Sequence, residues 1–253
     1  AVEQPVETYA WAIAEGGPAL ELKPTAVDGL VTFLSTLTAT DIVDPAKKAE
    51  YGLENPAYTC TLSIEGEDVV LEGACPEPGT DGYVRVKDAA DDVIYKLAAY
   101  NFGRVFGKGS DLFDLAKLDV DAAAMERVAI KAPSGDFVLK KAGEDWSIES
   151  PKLDKDVQTD VVNGVINAVA GLNPVDYADS ADGKGLEKPE RTITIKAGDQ
   201  THTIAVGKDV EGFAGAYARF TDDGPVVLLN QADLERIFIP TEQLTKAREA
   251  EKE

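Results

Sequence analysis

An α+β fold built as a tandem duplication is what this sequence predicts, and three observations predict it. Strand-like segments follow one another in runs, with helices set apart, which marks α+β over a parallel α/β sheet. Two amphipathic helical stripes stand in corresponding places in the two halves of the chain. The phrase YGLENPAYTCTLSIEG at 51–66 returns as KGLEKPERTITIKAG at 184–198. A self-similarity this long, with gaps confined to loops, is an internal repeat.

Taken in order, Trp11 in YAWAIAEG matches Trp146 in EDWSIESP. A turn then opens a helix, at Pro24 in one copy and at Pro151 with Asp154 in the other. The first helix carries Ala26, Val27, Leu30, Val31, Leu34 and Leu37, and the second carries Val161, Val162, Val165, Ile166, Val169 and Leu172 in the same columns. That spacing is one apolar stripe of a helix laid on a core. TATDIVD (38–44) faces NPVDYAD (173–179), and the recurring phrase follows. Its strands TCTLSI and TITIKA alternate as half-buried strands do, and each turns through a polar hairpin, EGED at 65–68 and AGDQ at 197–200. Returning strands VVLEG (69–73) and HTIAVG (202–207) lead to GYVRVKD (82–88) and AYARFTD (216–222). DVIYKLA (92–98) then answers PVVLLNQ (225–231), and short helices at NFGRVF (101–106) and DLERIF (233–238) close the copies.

The expected organisation is a first repeat over 1–115, a second over 116–240 and a polar tail over 241–253 that frays. Each repeat is an antiparallel sheet with the long helix on one face and the short helix closing it. The recurring phrase reads as fold punctuation. Pro56 and Pro189 fix φ and hold the preceding residue extended, suiting entry to a strand. Gly52 and Gly185 can take left-handed dihedrals, and Leu53 and Leu186 can plug the core between helix and sheet.

Composition excludes several functions. Of 253 residues 44% are hydrophobic, enough for real cores. Acidic residues number 46 against 25 basic ones, a formal net charge of −21, a field that repels nucleic acids and anionic lipid head groups. No run of 18 apolar residues occurs. The start, AVEQPVETYAWAIAEGG, lacks the basic and apolar regions of a signal peptide and reads as a trimmed or mature form.

Chemistry-bearing residues are few. His202 is the one histidine, on a predicted strand, and reads as facing solvent or a cross-strand neighbour; that rules out a His-rich zinc site. No G-x-S-x-G elbow accompanies it. GRVFGKGS (103–110) misses the phosphate-loop spacing and follows a helix, and no G-x-G-x-x-G occurs. Asp176, Asp179 and Asp182 are spaced by three, unlike calcium loops, and the Asp-rich segments read as solvated turns. Nothing singles out a carboxylate pair for glycoside hydrolysis. The reading therefore names no catalytic residue, no metal ligand and no cofactor.

Cys60 and Cys75 leave a disulfide, a metal half-site or two free thiols. A turn centred on Glu67-Asp68 sets them opposite each other; one centred on Gly66-Glu67 sets Cys60 opposite Gly73, with Cys75 diagonal on the same face. In either register a cross-strand disulfide is within reach, worth about 3 kcal/mol by the chain-entropy account and suited to an oxidising compartment.

The tryptophan segment, the amphipathic helix, YGLENP, the alternating hairpin, then YVRV and VIYKL together resemble the bacterial family of domain of unknown function 4340, in two copies of which the second is degenerate, with Lys184 in place of Tyr51 and Val227 near the place of Tyr95. The resemblance implies anchoring at the bacterial envelope with the repeats outside the cytoplasm, and association with ABC-type export systems related to gliding-motility components. It brings no catalytic residues. The expected function is a non-catalytic extracytoplasmic interaction module accessory to such an exporter. Its partners would be envelope or transporter proteins, with membrane contact only through a segment outside this chain. The rivals are a carboxylate-dependent envelope hydrolase, assisted or not by calcium, and an architectural spacer.

Overall fold

Pro24 begins a twelve-residue helix in the computed structural model, which describes residues 11–13, 18, 20–107, 109–115, 117–118, 120–153 and 155–246. The chain forms two compact units, one built on Leu22–Leu112 and the other on residues from 113 onward.

After β1 (Glu21–Leu22) the first unit contains α1 (Pro24–Ser35), β2 (Asp41–Val43), β3 (Tyr58–Ile64), β4 (Glu67–Ala74), β5 (Gly82–Val86), β6 (Ile94–Leu97) and α2 (Ala99–Phe106). Strands β2 to β6 form one antiparallel sheet in the order β2-β6-β5-β4-β3. Strand alternation gives this sheet two apolar faces. On one, Leu71, Val84, Tyr95 and Leu97 lie under Phe102 and Phe106 of α2. On the other, Val43, Ala74, Tyr83 and Ile94 lie under Tyr51 and Leu53 of the recurring phrase. Leu53 is fully buried, as expected of a plug, but it closes the face away from the helix. The expectation that the long helix covers the sheet fails in this unit: α1 buries none of its residues, and the short α2 does the covering.

The second unit contains β7 (Phe113–Asp114), β8 (Met125–Lys131), β9 (Phe137–Ala142), β10 (Asp145–Ser150), β11 (Asp156–Val157), α3 (Thr159–Ala170), β12 (Asp176–Ala178), β13 (Arg191–Ala197), β14 (Gln200–Asp209), β15 (Gly215–Arg219), β16 (Val226–Asn230), α4 (Gln231–Ile237) and β17 (Thr245–Lys246). Its eight-stranded sheet runs β10-β9-β8-β13-β14-β15-β16-β12. Five of these strands, β12-β16-β15-β14-β13, repeat the order of the first unit's sheet, and β8, β9 and β10 extend it. Here the long helix is buried as its stripe requires. Val162, Val165, Ile166 and Val169 pack on a core that includes Val128, Leu139, Trp146, Ile195 and Ile204, each such side chain worth about 2 kcal/mol in removal from water. Trp146 is 9% exposed, whereas its match Trp11 is 44% exposed and donates from Nε1 to Asp28 at 2.6 Å.

Residues 241–246, expected to fray, are part of this unit. A 3-10 turn at Thr241–Leu244 buries Leu244 completely, and β17 pairs with β11. One buried leucine in an otherwise polar segment is enough to seat it. Residues 247–253 lie outside the described residues.

The cysteine expectation is corrected by the turn. Glu65 and Gly66 both take positive φ, 54° and 88°, so the hairpin is a two-residue loop one to two positions earlier than either register considered. Cys60 therefore faces Leu71, and both thiols are free. Cys75 lies four residues further along, about 13 Å of strand, well beyond the span of a disulfide. Its thiol instead donates to the Glu77 carbonyl at 3.0 Å.

Candidate functional site

In each unit the phrase lies against the sheet face opposite the covering helix. In the second unit Gly185 takes φ +79°, matching Gly52 at +76°, and lets the phrase fold down onto β14. The Lys208 amide donates to the Lys184 carbonyl at 2.8 Å, and the Lys208 ammonium donates to the Gly183 carbonyl at 2.9 Å. The approach is close enough that a Cβ on Gly207 would stand 2.2 Å from the Lys184 oxygen. At the start of β13, Arg191 donates to the Gly207 carbonyl at 2.5 Å and pairs with Asp209 at 2.9 Å. These residues, with Pro133, Lys188 and Glu190, bound a cleft of about 520 Å³. Three cations meet two carboxylates there, an enrichment in basic groups for a chain of net charge −21. Its lining offers no thiol, hydroxyl or imidazole nucleophile.

Lys184 reaches across the same face. Its ammonium lies 4.2 Å from the centre of the Tyr217 ring and donates to the Tyr217 hydroxyl at 3.0 Å. In the first unit the corresponding place holds Tyr51 stacked on Tyr83, centroids 4.3 Å apart. Glu72 and Arg85, directly opposite on β4 and β5, form an ion pair at 2.6 Å, mostly shielded from solvent. A second groove, about 660 Å³, runs between α1 and α2 past Leu30, Tyr100 and Leu112. Arg104 bridges it by donating to the Gly29 carbonyl at 3.1 Å, with its guanidinium 4.4 Å from the Phe33 ring.

Titration properties follow from pairing. The Lys96 ammonium, with help from the Ala99 amide, holds the Asp81 carboxyl below its usual range, and Asp81 in turn raises Lys96. The Arg127 guanidinium lowers Glu149 in the same way. A carboxylate pushed down serves an ion pair and is a poor general acid near neutral pH. Burial pushes the Cys60 thiol up, away from reactivity.

His202 stands on β14 opposite Ile195, on the strand face that carries Ile204 into the core, with its Nε2 buried and without a hydrogen-bond partner. Asp176 lies on β12, and Asp179 and Asp182 follow it in the connection to the phrase. Among the described residues no three His, Cys, Asp or Glu side chains converge as a metal ion would require. Sequence reasoning passed over Lys188, Arg191 and Lys208. The available signal was their density around the second phrase in so acidic a chain.

The model of the family described as Domain of unknown function (DUF4340) matches residues 11–184. The match is continuous through the first unit and into the second, ending at the residue that begins the repeated phrase. No curated protein and no solved structure matches.

Proposed function

The chain belongs to the DUF4340 family, and on that footing we propose that it is a non-catalytic interaction module of a bacterial envelope protein, working outside the cytoplasm beside an ABC-type export system. Its two units are copies of one domain, the second degenerate at the Tyr51 position. Anchoring comes from a segment outside this chain, and the partners are envelope or transporter proteins.

One observation carries this reading: four ion pairs tie elements together within the two sheets. Glu72 with Arg85, Asp81 with Lys96, Arg127 with Glu149 and Arg191 with Asp209 each hold two elements together. Charges used this way shape and stiffen a surface, which suits recognition better than proton transfer. The cleft beside Lys188 and Arg191 is the region best built to receive an acidic segment of a partner.

The test is in vivo cross-linking of the full-length protein in its native host, with recovered partners identified by mass spectrometry. Recovery of transporter subunits, with cross-links through the phrase face, is the expected result. Recovery of bulk envelope alone overturns it and turns attention to the hydrolase.

A further inference from the structure

Among the described residues, the outer edge of β3 has no strand against it, although its counterpart β13 does. β13 lies between β14 and β8, pairing with β8 through Thr192↔Lys131, Thr194↔Ala129 and Lys196↔Arg127. The counterparts of Thr192, Thr194 and Lys196 in the repeated phrase are Thr59, Thr61 and Ser63. Both hairpins have two-residue loops, Glu65-Gly66 and Gly198-Asp199, so the residues flanking each loop form a hydrogen-bonded pair. Alternation from there points the N–H and C=O groups of Thr59, Thr61 and Ser63 away from β4. Among the described residues they form a row of unpaired backbone groups, which proteins ordinarily cover or blunt.

Burial shows the same deficit independently. Ile193 and Ile195 are fully buried, while their counterparts Cys60 and Leu62 are only half-buried, and Ile64 at the strand end is 58% exposed. Val31 of α1 is 43% exposed where its match, Ile166 of α3, is buried. The cover over α3 includes Val128, Phe137, Leu139 and Trp146 of β8, β9 and β10. One missing element accounts for both the open edge and the exposed Val31 of the otherwise half-buried helix stripe.

We propose that the β3 edge is a docking site for an added antiparallel strand, supplied by the chain immediately upstream of Ala1. The spacing between Trp11 and Trp146, applied backwards from β8, places the added strand about five to eleven residues before Ala1. It pairs with Thr59, Thr61 and Ser63 as β8 pairs with β13. Alternate apolar residues, like Val128 and Ile130 of β8, face the α1 stripe.

The test compares this 253-residue chain with the natural chain carrying its upstream residues. Amide exchange at Thr61 and Ser63 should slow by about 100-fold or more in the longer chain. Thr61→Pro should lower first-unit stability in the longer chain and change the shorter one little, because proline is tolerated where an edge N–H faces solvent. A natural chain with fewer than about ten residues before Ala1 overturns the proposal, as the strand would not exist. So does equal exchange in the two chains. Protection that rises with concentration of the shorter chain also overturns it, since a second copy would then be the occupant.

Discussion

Lys184 lies over the ring of Tyr217 at the place where Tyr51 stacks on Tyr83 in the first unit. A cation stands in the second unit where an aromatic stands in the first, and a tyrosine ring lies beneath each. Both arrangements satisfy the same need, a partner for the electron-rich ring face on the side of the sheet away from the helices. Lys184→Ala should therefore cost the second unit about 1 kcal/mol. Lys184→Tyr should recover most of it by restoring the aromatic pair. Urea unfolding of the two variants checks this, and equal losses would show that the ring contact contributes nothing.

The Asp81–Lys96 pair sets a pH window. Asp81 is lowered in the folded chain, so its contribution is present above the unfolded carboxyl value of about 4 and is lost as pH falls through the folded value. Lys96 is raised, so its contribution is present below about pH 10 and is lost as pH rises through its folded value. Asp81→Asn keeps an acceptor for the Ala99 amide and removes only the charge. The stability gap between wild type and this variant should be flat through neutral pH and close under acid. A gap that persists at pH 2 would refute the pairing.

Gly82 of β5 sits against Phe102, and a Cβ there would come 2.0 Å from the ring. Gly82→Ala should destabilise the first unit by about 1–3 kcal/mol through overpacking. Phe102→Ala should cost about 3–5 kcal/mol on its own. The double variant should be less damaged than the sum, because truncating the ring makes room for the methyl group. Amide exchange in β5 and β6 reads the first unit alone, and strict additivity would contradict this contact.

Both cysteines should carry free thiols in protein purified without reductant. Two alkylation adducts per chain are expected, with Cys60 modified slowly because burial raises its thiol. An intact mass about 2 Da lower before reduction would reveal a disulfide and a different hairpin register.

Local signals made part of this fold legible. The turn at Gly198-Asp199, the left-handed Gly52 and Gly185, and the α3 stripe were all readable from residue type and spacing. What failed depended on choices that local sequence leaves open. A left-handed Glu65 was less expected than a later turn, and that small shift separated Cys60 from Cys75. Which face Leu53 closes depends on the order β2-β6-β5-β4-β3, which no local pattern encodes. The stripes of α1 and α3 read alike in sequence, yet among the described residues only α3 has strands from elsewhere in its unit to bury it. The candidate cleft was illegible because Lys188, Arg191 and Lys208 meet only after the phrase folds back on β14.

That fold-back yields the last prediction. Gly207 corresponds to Ala74 of the first unit, whose methyl group is buried beside Gly52. A methyl at 207 has no such room: it would meet the Lys184 carbonyl at 2.2 Å and the Leu186 side chain at 3.1 Å. The carbonyl is backbone and is already held by the Lys208 amide, so the phrase itself must lift. Gly207→Ala should cost about 1–3 kcal/mol and expose residues 184–190 to protease. Ala74→Gly removes a buried methyl and should cost about 1 kcal/mol without freeing the first phrase. Limited proteolysis of both variants separates the two outcomes. If Gly207→Ala leaves the Lys184–Glu190 segment as resistant as wild type, the phrase is not held by this close approach.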